Sequence, residues 1–372
     1  MIWNMYSQNM NVNNQKRNKK KKRNFIFRGV SILCTIVFLV SGLCGCTAGG
    51  NREENLPKDQ KKLRVVTTIF PQYDFVRQIA GDNVSLTMLL KPGEETHSYE
   101  PTPQDIIAIQ NADLFIYVGG ENDEWVEDIL ESPEMEDVKR LRLVDCVGNI
   151  LAEEHVEGMK EERGHSHEDE EEESHDEEEH FLHSAEETEE EHNEHVHTMD
   201  EHVWTSPGNA IDIVEHITEE LCSLDSEHGQ TYKDNAEAYE TQLKELDTAF
   251  RDVVENAKNH TLLFGDRFPF RYFAAEYGLD YYAAFSGCAS DTEPSAATMA
   301  FLINKVKEEH IPVVLKMELS NDNIANAIAE ACDVPVKVFY SSHNISAKQF
   351  EAGVTYLDLM KENVETLKEA LR

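Results

Sequence analysis

The stretch from Leu63 to Leu90 reads LRVVTTIFPQYDFVRQIAGDNVSLTMLL and predicts the fold class. Its first seven residues are rich in β-branched side chains, as is typical of a strand. A proline and then apolar residues at helical spacing follow, as far as Ala80. A Gly-Asp-Asn turn leads into a second strand, which starts at Val84. Strands that alternate with helices of this size predict a parallel α/β sheet.

The same alternation occurs twice along the chain. Further strands are expected near 113–118 and 141–144, and a second set begins at Thr261. Between the sets, apolar residues recur every three or four positions from about 230 to 259, which predicts one long helix. We therefore expect an α/β protein with two parallel-sheet lobes, joined by one long helix, and a cleft between the lobes.

The expected organisation has five parts. They are a lipoprotein signal peptide at 1–45, a tether at 46–62, an N-terminal α/β lobe at 63–205, a bridging helical region at 206–260 and a C-terminal α/β lobe at 261–372. Within the N-terminal lobe, 31 of the 50 residues in 151–200 are Glu, Asp or His. A segment with so little to bury is expected to be a disordered insertion.

The formal net charge of −38 is unevenly distributed along the chain. The first 46 residues hold eight basic residues and no acid, whereas residues 153–197 hold 21 acids and two bases. Nucleic-acid binding is not expected, because phosphate contacts need clustered Lys or Arg.

The basic N-terminal block precedes an apolar run of about fifteen residues, 29–43, and a membrane-spanning helix needs about 20. The run ends in Leu43-Cys44-Gly45-Cys46, which resembles a bacterial lipobox. That resemblance implies that Cys46 carries lipid and anchors the protein to the outer face of the cytoplasmic membrane. The alternative is an uncleaved anchor helix.

Four cysteines remain after this segment, with no CxxC motif, and the sequence leaves their pairing open.

Four possible metal ligands follow predicted strands. Two, His97 and His202, belong to the first lobe, and Asp266 and His343 belong to the second. Parallel sheets bind ligands beyond the carboxyl ends of their strands. Three imidazoles and a carboxylate suit a zinc site closed by four protein ligands.

Two motifs carry a resemblance to a known family. The first is Pro92-Gly93 followed by His97-Ser98-Tyr99-Glu100-Pro101, and the second is Asp200-x-His202-x-Trp204-x-Ser206-Pro207. They resemble the zinc/manganese substrate-binding lipoproteins of ABC importers, and the acidic His-rich insertion resembles the zinc-importing branch. The resemblance implies a monomeric receptor that captures Zn²⁺ and delivers it to a membrane permease and its ATPase. Mn²⁺ or nickel is the alternative cargo.

The second lobe departs from the family pattern. Members usually place His or Glu after the first strand of this lobe, where Asp266 is the only suitable residue. They usually place Asp after the last strand, where this chain has His343. Cys288 and Glu318 follow other strands and are reserve ligands, although Glu318 also suits a helix cap.

The insertion suggests a second metal-binding role. It contains nine histidines among its acids: His155, His165, His167, His175, His180, His183, His192, His195 and His197. Neutral imidazoles bind zinc, copper and nickel, so the segment is expected to be an accessory metal-collecting loop. The alternative is a solvated acidic loop without a metal role.

Two other classes of function compete with the receptor. A zinc hydrolase would need an open coordination position with a general base beside it, and no HExxH motif occurs. A surface adhesin lipoprotein would leave the histidine motifs unexplained. We therefore expect a metal receptor without enzymatic activity.

Overall fold

The computed structural model describes residues 62–94, 99–120, 123–159, 199–289 and 293–372. The expected signal peptide, Cys46, the tether as far as residue 61 and His97 lie outside these ranges. So do the insertion histidines from His165 to His197, whereas His155 is described and exposed.

The N-terminal lobe is a four-stranded parallel sheet with helices packed against it. Its strands are β1 (Leu63–Thr67), β2 (Val84–Met88), β3 (Leu114–Tyr117) and β4 (Lys139–Arg142), and its first helices are α1 (Phe70–Ala80), α2 (Pro103–Gln110) and α3 (Glu124–Leu130). The strand order is β2-β1-β3-β4, and every neighbouring pair is parallel. The strands after β1 are added first on one side of it and then on the other. This topological switch point lies between β1 and β3, where such sheets bind ligands.

Two helices follow the insertion. They are α4 (Pro207–Leu224) and α5 (Gly229–Glu255). The 27 residues of α5 span about 40 Å at 1.5 Å per residue. Its buried apolar face has the spacing that the sequence predicts, at Tyr232, Ala236, Tyr239, Leu243, Leu246, Phe250 and Val254.

The C-terminal lobe repeats the architecture of the first. Its strands are β5 (Thr261–Phe268), β6 (Asp280–Ser286), β7 (Val314–Lys316) and β8 (Val336–Val338), and its helices are α6 (Arg271–Tyr277), α7 (Ala296–Glu308), α8 (Asn323–Cys332), α9 (Ala347–Glu351) and α10 (Tyr356–Ala370). The order is β6-β5-β7-β8, again with parallel pairs. The expected fold of two parallel-sheet α/β lobes is therefore confirmed.

The helix α5 contacts both lobes. Near its start, Asn235 Nδ2 donates to the Ile79 oxygen of α1 at 2.8 Å. Near its end, Asp247 accepts a hydrogen bond from the Tyr277 hydroxyl of α6 at 2.9 Å. The largest apolar core is continuous through this helix and includes buried residues of both sheets, such as Val65 and Phe264. The two lobes therefore share one core.

A buried carboxylate also joins the lobes. Asp74 of α1 accepts the Tyr356 N–H, at the start of α10, at 2.6 Å and the Arg77 Nε–H at 2.9 Å. Arg77 in turn donates to the Val354 oxygen at 3.0 Å. Burial raises the pKa of Asp74, against the opposing effects of Arg77 and the Tyr356 N–H. Asp74 thus depends on these partners to remain charged in the interior.

The described cysteines do not form disulfides with one another. This holds for Cys146, Cys222, Cys288 and Cys332, none of which is in a disulfide within the described part of the chain. Over the same described ranges, no helix is both long and apolar enough to cross a bilayer.

We expect Asp74→Ala to lower the free energy of unfolding by about 3 kcal/mol, because it leaves Arg77 without its carboxylate and the Tyr356 N–H without its acceptor. Equilibrium urea unfolding followed by circular dichroism measures the change. Asp82→Ala, in the exposed turn after α1, is the matched control and should alter stability by less than about 0.5 kcal/mol. Equal midpoints for the two variants would contradict this role of Asp74.

Candidate metal centre

Three metal-ligating side chains from the two lobes meet in one buried group. They are Glu201, His202 and His343, whose ligand atoms all lie within 4.8 Å of one another. Their exposed fractions are 1%, 0% and 7%. The imidazole centroids of the two histidines are 4.8 Å apart, with the rings nearly perpendicular. The structure thus brings together two of the four ligands expected from the sequence and adds a carboxylate.

His202 is oriented by Asp200, two residues before it in the sequence. Its backbone N–H donates to Asp200 Oδ1 at 2.8 Å, and its Nδ1 lies 3.0 Å from the same oxygen. A carboxylate can only accept, so Nδ1 carries the proton and Nε2 offers its lone pair in the neutral ring. His202 Nε2 is buried and has no hydrogen-bond partner. A metal ion would satisfy this nitrogen.

The electrostatic surroundings of His202 favour a cation. Burial disfavours the charged imidazolium, but the Asp200 carboxylate and its hydrogen bond, followed by Glu201, outweigh burial and raise the pKa of His202. The same negative charges would stabilise a divalent ion next to the ring.

His343 reaches the group from the end of β8. Ser342 has a left-handed backbone (φ 61°), which turns the chain after the strand. Ser341 is fixed by Glu318, whose carboxylate accepts the Ser341 N–H at 2.7 Å and its hydroxyl at 2.8 Å. Glu318 therefore supports the segment that carries His343.

Trp204 connects the segments of the two histidines. Its Nε1–H donates to the Ser341 oxygen at 2.9 Å. Its ring lies edge-on to the ring of His343, with centroids 4.7 Å apart, and 5.5 Å from that of His202. The indole is fully buried, so it fixes both imidazoles from one side.

Glu201 fits into the group because glycine occupies position 120. A Cβ at Gly120 would lie 2.0 Å from Glu201 Oε2, so only glycine leaves room for this carboxylate after β3. Asp123 lies behind it and accepts the Val118 and Gly119 N–H groups at 2.6 and 3.1 Å. Burial and the charge of Glu201 raise the pKa of Asp123 to about 7. The charges of these two buried carboxylates repel each other, and a bound cation would stabilise both.

A second glycine makes room for His202 itself. A Cβ at Gly287, after β6, would lie 3.1 Å from His202 Cε1. The carboxyl ends of strands from both sheets therefore border the group, as expected for a cleft between the lobes.

The donor set suits zinc. Two imidazole nitrogens and a carboxylate oxygen are typical zinc ligands, with bonds of about 2.0–2.2 Å. Such bonds place tetrahedral ligand atoms about 3.4 Å apart, which small side-chain rotations can reach from the observed spacing. His97, the remaining expected ligand, lies outside the described residues.

Asp266 is not part of this group. The sequence suggests that it follows a strand, but β5 continues to Phe268 with a register irregularity between Phe264 and Arg267. Its Oδ2 accepts the Met317 N–H at 2.9 Å and the Ser320 hydroxyl. Its Oδ1 accepts the Arg267 N–H at 2.8 Å. These contacts place Asp266 in the packing of β5 against the end of β7, apart from the group of Glu201, His202 and His343.

The two reserve ligands also lie outside the group. The Cys288 N–H donates to Glu153 Oε1 at 3.0 Å, and both oxygens of Glu318 accept from Ser341.

Sequence reasoning missed Glu201, which directly precedes the expected ligand His202. The Gly119-Gly120 pair after the third strand was the available signal, since it leaves space for a neighbouring side chain.

Comparisons with known proteins identify the family of the chain. A family model described as the zinc-uptake complex component A, periplasmic, matches residues 65–370, so the chain belongs to that family. The zinc-binding lipoprotein AdcA of Streptococcus pneumoniae is 32% identical over 309 residues, which cover 83% of this chain and 56% of the relative. The chain therefore spans little more than half the length of this relative.

Two further matches cover nearly all of the other protein. The high-affinity zinc uptake system protein ZnuA of Bacillus subtilis is 31% identical over 343 residues, which cover 90% of this chain and 94% of the relative. The crystal structure of the Zn(II)-bound ZnuA-like domain of Streptococcus pneumoniae AdcA matches with a TM-score of 0.63 and 28% identity. That match covers 83% of this chain and 99% of the domain.

We expect Asp200→Ala to weaken Zn²⁺ binding by about 10- to 100-fold, because the partner that orients a ligating imidazole is lost. Isothermal titration of the purified protein measures the affinity. Asp225→Ala is the matched control, since Asp225 Oδ2 lies 2.7 Å from His228 Nδ1, away from the metal group. If both variants bind as wild type does, Asp200 does not orient a ligand.

Asp266→Asn tests the structural role of that residue. Zinc affinity should stay within about twofold of wild type, and the free energy of unfolding should fall by about 1–3 kcal/mol, because an amide donor would face the Met317 N–H or the Ser320 hydroxyl. Titration and urea unfolding of the same preparation give both values. A loss of affinity at unchanged stability would restore Asp266 as a ligand.

Proposed function

We propose that this member of the zinc-uptake component family captures Zn²⁺ outside the cytoplasmic membrane and delivers it to the permease of an ABC importer. The observation that carries the proposal is the buried, unpartnered Nε2 of His202, next to His343 and Glu201. Burying these polar groups costs free energy that a bound cation would offset. The family and the zinc-binding names of its relatives support the same cargo.

We assign the ligands as His202, His343 and Glu201, with His97 as the fourth. His97 follows from its motif in the sequence, and the other three lie together in the structure. Imidazole-rich sites favour zinc over manganese, which prefers oxygen ligands. Nickel also accepts imidazoles, so competition between zinc and nickel is the sharper test of selectivity.

The same ligand set supports a receptor without enzymatic activity. Four protein ligands close a tetrahedral zinc ion, whereas a catalytic zinc ion keeps one position for water or substrate. Stoichiometric binding without turnover is therefore the expected behaviour.

The location and partners follow from the sequence and the family. Lipidation at Cys46 would hold a monomeric receptor at the outer face of the membrane, beside the permease and its ATPase. The family name, a periplasmic component of a zinc-uptake complex, agrees with such an assembly.

The His-rich insertion is proposed as an accessory collector of metal. Its two ends meet at an antiparallel bridge between Ala152 and Met199, and the Asp200 N–H donates to the Leu151 oxygen at 2.9 Å. Because these two ends meet, the residues between them can be replaced by a short linker without breaking a strand or helix of the described fold.

His202→Ala and His343→Ala should each remove tight Zn²⁺ binding, by at least 100-fold in affinity, because each deletes one of four metal bonds. Glu201→Gln should weaken binding less, since it keeps one neutral oxygen donor. Metal content after dialysis and competition with a chromophoric chelator give the stoichiometry and affinity. His216→Ala is the control, because His216 is exposed on α4 and its Nδ1 contacts only the Asp212 oxygen of its own helix. Wild-type affinity in both ligand variants would refute the site.

Replacement of residues 160–198 by a short glycine linker should lower the total zinc bound per protein but leave the tight site within about threefold of wild type. The reason is that the proposed ligands outside the insertion remain in place. Titration over a wide range of zinc concentration separates the two classes of site. A loss of tight binding comparable to that of His202→Ala would mean that the insertion belongs to the main site.

A further inference from the structure

The segment that carries His343 lies against the N-terminal lobe, although it belongs to the C-terminal lobe. We call residues 341–345 the His343 loop. The Phe70 N–H at the start of α1 donates to the His343 oxygen at 3.3 Å, and Trp204 donates to the Ser341 oxygen at 2.9 Å. The third link is Asn344, whose side chain reaches the turn after β2.

Both the nitrogen and the oxygen of the Asn344 side-chain amide are hydrogen-bonded. Its Nδ2 donates to the Lys91 oxygen at 2.8 Å and to the Glu94 oxygen at 2.9 Å. Its Oδ1 accepts the Ile345 N–H at 2.8 Å. The side chain is 2% exposed, so water competes little for these bonds. An amide is well suited to this position, because two carbonyls need two donors and the loop N–H needs an acceptor.

The turn that Asn344 holds comes shortly before a proposed ligand. The Glu94 N–H donates to the Lys91 oxygen at 3.0 Å, and Gly93 between them has a positive φ of 89°. His97 follows Glu94 by three residues in the sequence.

We propose that Asn344 is a positioning residue that sets the affinity for Zn²⁺ by fixing the His343 loop to the 91–94 turn of the N-terminal lobe. This inference rests on the proposed function. Asn344 does not touch the metal. It holds a ligand of one lobe against the segment of the other lobe that leads to His97.

The effect should appear mainly in the release of the ion. A site that is preorganised loses less freedom on binding, so removing the clamp costs affinity without deleting a metal bond. For variants of one interface, changes in affinity arise mostly from dissociation rates. We expect association with Zn²⁺ to change little.

Asn344→Asp is the sharpest substitution. It keeps the size of the side chain and the acceptor for the Ile345 N–H, but it turns a carboxylate oxygen towards two carbonyl oxygens. Asn344→Ala removes the clamp without this repulsion. It should change binding in the same direction by a smaller factor, and it keeps the test valid if the aspartate variant folds poorly.

Asn235→Asp provides the matched control. Asn235 Nδ2 also donates to a carbonyl of the N-terminal lobe, that of Ile79 at 2.8 Å, and it comes from the long helix α5. The substitution removes the same kind of amide-to-carbonyl bond between the same lobe and another element, but Asn235 is not among the residues around the metal group.

The experiment measures zinc affinity by chelator competition, zinc release by stopped flow and stability of the metal-free protein by urea unfolding, all on the full chain. We expect Asn344→Asp to bind about 10- to 100-fold more weakly, the range found when partners of metal ligands are lost, with release faster by a similar factor. Asn235→Asp should stay within about twofold in both measurements, with a smaller loss of stability, because it breaks one amide-to-carbonyl bond rather than two.

Two outcomes would overturn the proposals separately. If wild type binds zinc tightly and the Asn344 variants bind and release it as Asn235→Asp does, Asn344 has only a structural role. If wild type itself fails to bind zinc, the proposed function fails first. The absorption spectrum of the Co²⁺-loaded Asn344→Asp protein adds a direct readout. It should keep a four-coordinate band with altered position or intensity, and an unchanged band would also count against the clamp.

Discussion

The positions of both imidazoles depend on Trp204. This side chain is fully buried, follows His202 by two residues and donates its one N–H to the Ser341 oxygen, two residues before His343. Its backbone oxygen accepts the Tyr356 hydroxyl of α10 at 2.7 Å. An indole has a single donor, and packed aromatic rings have preferred geometries, so this one side chain sets the separation of two segments from different lobes. The two histidines are therefore brought together by packing and hydrogen bonding. Trp204 itself belongs to the continuous apolar core that runs through α5.

That packing places negative charge where water cannot solvate it. Glu201 and Asp123 lie close together in the interior, and Asp200 contacts the ring of His202. Carboxylates in such a position either gain protons or hold a cation. Because the pKa values of Asp123 and His202 are raised, protons compete with a metal ion for this negatively charged region. Zinc binding and the stability of the folded chain are consequently linked, because an ion that binds only the folded state adds its binding free energy to that state. The acidity of the whole sequence adds long-range attraction for cations but little selectivity.

Much of this could be predicted from the sequence, and the exceptions have physical causes. The β-branched stretches gave the strands, and the apolar spacing gave α5 to within four residues at its end. His202 was expected from its motif and His343 from its position after a strand, and both lie in the buried group. Asp266 lies apart from that group, because the Gly-Asp-Arg-Phe segment looks like the end of a strand, while β5 passes through it with an irregularity that turns Asp266 towards Met317. Glu201 was missed because its place depends on the missing side chain of Gly120, a residue far away in sequence. Patterns report local geometry well, but they cannot report which distant side chain fills a space.

The shared core also restricts how the proposed receptor can release its ion. Two lobes on a flexible linker could separate freely, but here opening the site means breaking the contacts of the His343 loop with the N-terminal lobe. Among the described residues, these contacts include four hydrogen bonds, one from Phe70, one from Trp204 and two from Asn344. At about 0.5–1.5 kcal/mol net for each, they oppose opening by about 2–6 kcal/mol in total. A micromolar protein–protein contact supplies about 8 kcal/mol. Docking on a membrane permease would therefore provide enough free energy to open the site. Thermal motion alone would open it only rarely. This behaviour suits a receptor that must keep its ion until it meets its partner.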